Sequence, residues 1–93
     1  MKKNIYLFKL DSCPYCVELA NKLKNKNIKY KEIDVDQYID LFDEVTKKTG
    51  FEHVPQILVN EWDGEKFING KYVADFDTIE DAIAQIEFLL NKK

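Results

Sequence analysis

Apolar residues along this 93-residue chain fall into short blocks whose spacing switches between two periods. Ile5 to Leu10 (IYLFKL) is a compact run rich in β-branched and aromatic side chains, the pattern of a strand buried on both faces of a parallel sheet. It ends at Asp11-Ser12. Pro14 then opens a helix, where its missing N–H costs nothing, and Cys16, Val17, Leu19, Ala20 and Leu23 form one apolar face as far as about Lys26. Tyr30 to Val35 alternates in the manner of a second, weaker strand after a turn at Asn27. From Tyr38 the apolar positions 38, 39, 41, 42 and 45 return to helical spacing, and Thr49-Gly50 supplies the stop, predicting a second helix over 38–49.

Val54 to Val59 (VPQILV) predicts a third strand opened by a proline, where no central ladder bond is lost. Asp63-Gly64 and Asn69-Gly70 each suit a two-residue hairpin loop, so 65–68 and 71–74 are expected as short antiparallel strands. Thr78 caps a last helix, with Asp81 as a weak capping-box partner. Its buried stripe is Ile79, Ala82, Ile83, Ile86, Leu89 and Leu90, and Lys92 and Lys93 suit its C-terminal dipole. The order strand, helix, strand, helix, strand, hairpin, helix predicts an α/β fold, with parallel pairing of strands separated by helices and an antiparallel edge.

Length and composition narrow what such a fold can do. Residues 1–93 suffice for one domain with a compact core, burying about 60 to 65% of the unfolded surface without a metal or disulfide staple. The two cysteines are therefore available for chemistry. Apolar runs stay far below the roughly 18 to 20 residues of a membrane span. The opening Met1-Lys2-Lys3-Asn4 leads into only a short apolar run interrupted by Lys9, which is no signal peptide, so a cytoplasmic protein with no membrane partner is expected. Lysines and arginines number 14 against 17 acids, a net charge of −3, and no basic cluster exceeds two residues, which argues against nucleic acid. Every cation is a lysine, so an anion recognised by a side chain meets a point charge and not a guanidinium fork.

The sharpest chemical signal is Cys13-Pro14-Tyr15-Cys16. A spacing of three puts both thiols on one face of the first helical turn, within reach of each other. Cys13 stands at the helix start, where unpaired N–H groups and the positive end of the dipole favour a thiolate, and is the expected nucleophile. Cys16, one turn in and on the apolar side, suits a resolving thiol that attacks a mixed disulfide. A purely structural disulfide across so short a loop would restrict the unfolded chain little, and a zinc site needs about four ligands where only His53 joins the thiols. A cytosolic C-x-x-C near a βαβ pattern points to redox chemistry.

SCPYC directly after a first strand, with VPQILV about forty residues later, resembles the dithiol glutaredoxins of the thioredoxin superfamily over nearly the whole chain. Ser12 and Tyr15 separate it from the WCGPC of typical thioredoxins. The resemblance implies a central mixed four-stranded sheet (β-α-β-α-β-β-α) flanked by three helices. It also implies an enzyme that reduces protein disulfides and glutathione mixed disulfides, with glutathione as reductant and no metal. It implies a cis Pro55 beside Cys13, Tyr15 flanking the tripeptide, the Val54 backbone pairing with its cysteinyl residue, and Asp77 and Thr78 taking its γ-glutamyl end. Asp and Thr are also preferred helix caps, and that reading of Asp77 and Thr78 stands beside the binding one. The expected partners are glutathione and disulfide-containing or glutathionylated proteins, ribonucleotide reductase among the clients common in the family, and a monomer is expected.

Three positions depart from the family pattern. The basic residue usually three before the first cysteine, for the glycine carboxylate of glutathione, is Leu10; Lys9, one step earlier, is the glutathione-binding candidate for that role, which a loop one residue longer would allow. The usual Thr before Val-Pro is His53, which reads either as a local proton donor or as a plain surface imidazole. The usual Gly-Gly after the fourth strand is Ala74-Asp75, which adds bulk and negative charge near the groove. Asn60 to Lys66 looks like an insertion, with Trp62 as an exposed turn aromatic that meets a partner or covers a core edge. Two rival functions share the fold: a thioredoxin-like protein recycled by a reductase enzyme, and an iron–sulfur carrier, the latter usually marked by CGFS.

Overall fold

The computed structural model describes residues 2–91. Its elements are β1 (Lys2–Lys9), α1 (Pro14–Asn25), β2 (Lys31–Asp34), α2 (Ile39–Thr49), β3 (Gln56–Trp62), β4 (Phe67–Val73) and α3 (Ile79–Asn91). One four-stranded sheet runs in the order β2-β1-β3-β4. β1 is one of its two inner strands, in keeping with its doubly apolar run. On one face Ile5 and Leu7 join Leu19 and Leu23 of α1 and Ile79, Ala82, Ile83 and Ile86 of α3 in the core. On the other, Phe8 meets Phe42 of α2 with ring centroids 6.1 Å apart.

β1 and β2 pair in parallel, but β3 pairs antiparallel with β1, correcting the expectation that every helix-separated pair is parallel. Parallel return requires the helix to carry the chain back to the end where the strands begin. α2 does not do this. β2 finishes with Asp34 opposite Lys9, and β3 starts with Gln56 opposite Phe8, so the chain re-enters the sheet at the end it left. Gly50 ends α2 in the left-handed conformation at φ 79°, its N–H bonded to Thr46 O at 2.8 Å. Val45 is the one buried residue of α2.

Only one of the two Gly signals makes a hairpin. Asp63-Gly64 turns the chain between β3 and β4, with Gly64 at φ 104° and the Asp63 carboxylate accepting the N–H groups of Glu65 and Lys66. Asn69-Gly70 instead lies inside β4, so the two short strands expected there are one. Val59 pairs with Lys71 and Glu61 with Ile68, which leaves Asn69 and Gly70 together opposite Asn60. The positive φ of Asn69, 56°, serves a β-bulge where a turn was expected. Trp62 likewise closes β3 opposite Phe67, with rings 4.8 Å apart, and is not a turn residue.

α3 begins behind Thr78, whose Oγ1 accepts the Asp81 N–H at 3.0 Å, while the Asp81 carboxylate accepts from Gln85. Lys92 and Lys93, expected at its C-terminal dipole, lie outside the described residues. A cation comes from elsewhere: Lys3 of β1 donates to the carbonyls of Leu89 and Leu90 at 2.6 and 3.2 Å.

Candidate active site

Cys13 is the N-cap of α1 and Pro14 its first helical residue. The strand dihedrals of Cys13, φ −93° and ψ 108°, turn its side chain back over the open end of the helix, where Sγ accepts the Cys16 N–H at 3.1 Å. Cys13 and Cys16 are joined as a disulfide with Cα atoms 5.2 Å apart. Their surroundings differ: Cys16 is 2% exposed and packs toward the core, whereas Cys13 is half-buried at the rim. Tyr15 projects from the turn between them, 65% exposed.

The loop after α2 brings the second half of the site. The Val54–Pro55 peptide is cis, Pro55 is buried, and the Val54 carbonyl oxygen lies 3.9 Å from Cys13 Sγ. His53, just before, is exposed, and its ring stands edge-on to Phe51 at 5.2 Å and to Phe76 at 6.3 Å. The Phe76 contact draws the turn holding Asp75, Asp77 and Thr78 against the Val54 loop. Ala74 is buried while Asp75, Asp77 and Thr78 are exposed. An ion pair from Lys22 to Glu80, 3.1 Å, holds α1 beside the first turn of α3, and the Lys22 hydrogen bond keeps the Glu80 carboxyl below its usual range.

Lys9 goes elsewhere. It shares its strand face with Ile5 and Leu7, its ammonium pairs with Asp11 and lies 3.9 Å from Asp34, and the Asp11 hydrogen bond raises its pKa. It lines a cavity of about 200 Å³ with Leu10, Asp11, Cys16, Val17 and Glu32 among its walls, beside α1. The structure brings together Cys13, Cys16, Pro14, Tyr15, Val54 and Pro55, sets Asp77 and Thr78 on the adjoining turn, and places Lys9 on a cavity whose walls include Cys16. Among the described residues no three His, Cys, Asp or Glu side chains cluster as metal ligands.

Sequence reasoning missed Gln56. It is 0% exposed, and its amide bonds to Thr49, Phe51 and His53 across the loop that carries Val54. The available signal was a polar side chain inside the apolar run VPQILV.

Comparison with known proteins agrees with this geometry. The family model described as Glutaredoxin matches residues 5–62. Glutaredoxin 1 of Rickettsia felis is 36% identical over 58 residues, 60% of this chain and 57% of the relative. The matched region thus spans less than two thirds of that relative's length. Among solved structures, a thioredoxin-like protein superposes with a TM-score of 0.62 at 26% identity, over 95% of this chain and all of that one. A buckwheat glutaredoxin–glutathione complex superposes with a TM-score of 0.59 at 18% identity, over 92% of this chain and 70% of that one, a likeness of fold.

Proposed function

The chain belongs to the glutaredoxin family, and on that footing we propose that it is a thiol–disulfide oxidoreductase that draws its electrons from glutathione. The observation that carries the reading is the Cys13–Cys16 disulfide at the start of α1, facing Val54 and the cis Pro55. In the dithiol form the Cys16 N–H and the helix dipole favour a Cys13 thiolate. The thiolate attacks one sulfur of the substrate disulfide, forming a mixed disulfide and expelling a thiolate that takes a proton from solvent. Cys16 loses its proton and attacks the Cys13 sulfur, closing the Cys13–Cys16 bond and releasing the second thiol. The substrate gains two electrons and the dithiol loses two. One glutathione then opens the disulfide at Cys13, and a second removes the first as glutathione disulfide, restoring both thiols.

Glutathione is held in this reading by Tyr15 beside the tripeptide, by the Val54 backbone pairing as a short added strand, and by the start of α3. There Asp77 accepts from the γ-glutamyl ammonium and the first-turn N–H groups beyond Thr78 meet its carboxylate. Such a dithiol operates in a reducing compartment, the cytoplasm, as a single-domain monomer acting on protein disulfides or glutathionylated proteins, of which ribonucleotide reductase is one client class. A coupled assay tests the proposal: turnover of a glutathione mixed disulfide, dependent on glutathione, is expected. Intact dithiol with no such turnover overturns it.

A second reading keeps the chemistry and changes the donor. With Leu10 in the position of the usual basic residue, Lys9 committed to Asp11, and Asp75 exposed in place of a glycine, little charge favours an anionic tripeptide. Reduction by a thioredoxin-type reductase with no response to glutathione would favour it.

A further inference from the structure

Gln56 and Asn60 are the only buried polar side chains among the described residues, and Gln56 is the one whose amide is fully engaged. Its Oε1 accepts the Thr49 hydroxyl at 3.0 Å, and its Nε2 donates to Phe51 O at 2.8 Å and to His53 O at 2.9 Å. Two carbonyl partners require both amide hydrogens, so the group is used to capacity on the donor side. Thr49 Oγ1 in turn accepts the Phe51 N–H at 3.1 Å. Gly50 to Pro55 is otherwise without helix or strand structure, so these bonds tie it down from the end of α2 to the start of β3. With the His53 carbonyl turned inward onto Gln56, the next carbonyl, that of Val54, faces Cys13 Sγ at 3.9 Å.

We infer that Gln56, braced by Thr49, is a positioning residue for substrate binding: it holds the Val54 backbone in the orientation that receives the peptide flank of a disulfide at Cys13. The inference rests on the oxidoreductase reading above and adds to it a residue that touches neither sulfur nor substrate. Removing the amide leaves the His53 carbonyl without its donor and Phe51 O with only the longer 3.4 Å contact from the Thr49 hydroxyl, and the loop relieves this by turning the His53 carbonyl toward water, which misdirects Val54. A backbone docking edge displaced in this way weakens binding more than it slows sulfur chemistry.

The test compares two reactions of the reduced full chain. A mixed disulfide of glutathione and a cysteine peptide needs the Val54 edge, whereas alkylation of Cys13 by iodoacetamide has no peptide flank to dock. Gln56→Leu is expected to raise KM for the mixed disulfide about tenfold, with kcat and the alkylation rate each within about twofold of wild type. An unchanged KM in a variant that melts cooperatively overturns the inference, as does an alkylation rate that falls with turnover. Should Gln56→Leu fail to fold, Thr49→Val takes its place, with a KM rise of about threefold that Thr49→Ser reverses. A Thr49→Val KM equal to wild type then overturns it. A wild-type chain that reduces no disulfide overturns the oxidoreductase reading instead, so the two failures are distinguishable.

Discussion

At the scale of single residues, the two cysteines differ by one helical turn, and that turn separates their roles. Cys13 sits at the rim with its sulfur on the Cys16 N–H, while Cys16 is closed off in the core. Cys13→Ser is expected to reduce all disulfide turnover to background, a loss of about a thousandfold or more. Cys16→Ser should keep reduction of glutathione mixed disulfides and lose that of protein disulfides, since only the latter needs a second thiol to resolve the intermediate. Equal losses in both variants, measured with the two substrates side by side, would contradict this division. The roles were legible in the spacing of three and the proline between, because helix geometry follows from local sequence. The more distant partners of Lys9 and Gln56 were not. Asp34 and Thr49 lie 25 and 7 residues from them in the chain, and nothing local marks those contacts.

At the scale of elements, Asp63-Gly64 and Asn69-Gly70 are near-identical signals with different outcomes. Asp63 organises the hairpin through bonds of 2.8 and 2.9 Å from the N–H groups of Glu65 and Lys66. The N–H of Lys66 and that of Glu65 hold the Asp63 carboxyl below its usual range. A carboxyl depressed on folding contributes stability that is complete above its unfolded pKa and is lost as pH falls through the folded value. Thermal melts are therefore expected to show a hairpin contribution at neutral pH that fades below about pH 4. Asp63→Ala should lower Tm at pH 7 by more than it does at pH 3. A gap that stays constant between those pH values would refute the linkage. Asn69-Gly70 makes no turn because Asp63-Gly64 has already set the register, and the extra residue between Lys71 and Ile68 is absorbed as a bulge. Which of two turn signals wins depends on strand pairing outside either signal.

At the scale of the whole molecule, α1 and α3 share one face of the sheet through Leu19, Leu23, Ala82 and Ile86, each at or near zero exposure. Leu19→Ala removes a side chain buried where three elements meet and should cost about 2 to 5 kcal/mol. In a domain of this size that corresponds to a drop in Tm of about 10 °C or more, read by calorimetry. Per folded molecule, turnover should survive, because Leu19 belongs to the buried core with Leu23, Ile83 and Ile86, which none of residues 51–55 joins. An unchanged Tm would mean that the α1–sheet contact matters less than its burial indicates. The sequence by itself determined the three helices, the central strand, the hairpin at Asp63-Gly64 and the reactive pair, since each rests on periodicity, capping or turn chemistry within a few residues. Tertiary structure alone decided that β3 runs against β1, that Asn69-Gly70 is a bulge, that Lys9 faces α1, and that Gln56 ties down the loop opposite Cys13. Each of these depends on where distant segments meet, and the free energy of such meetings is carried by contacts that no local window of the chain contains.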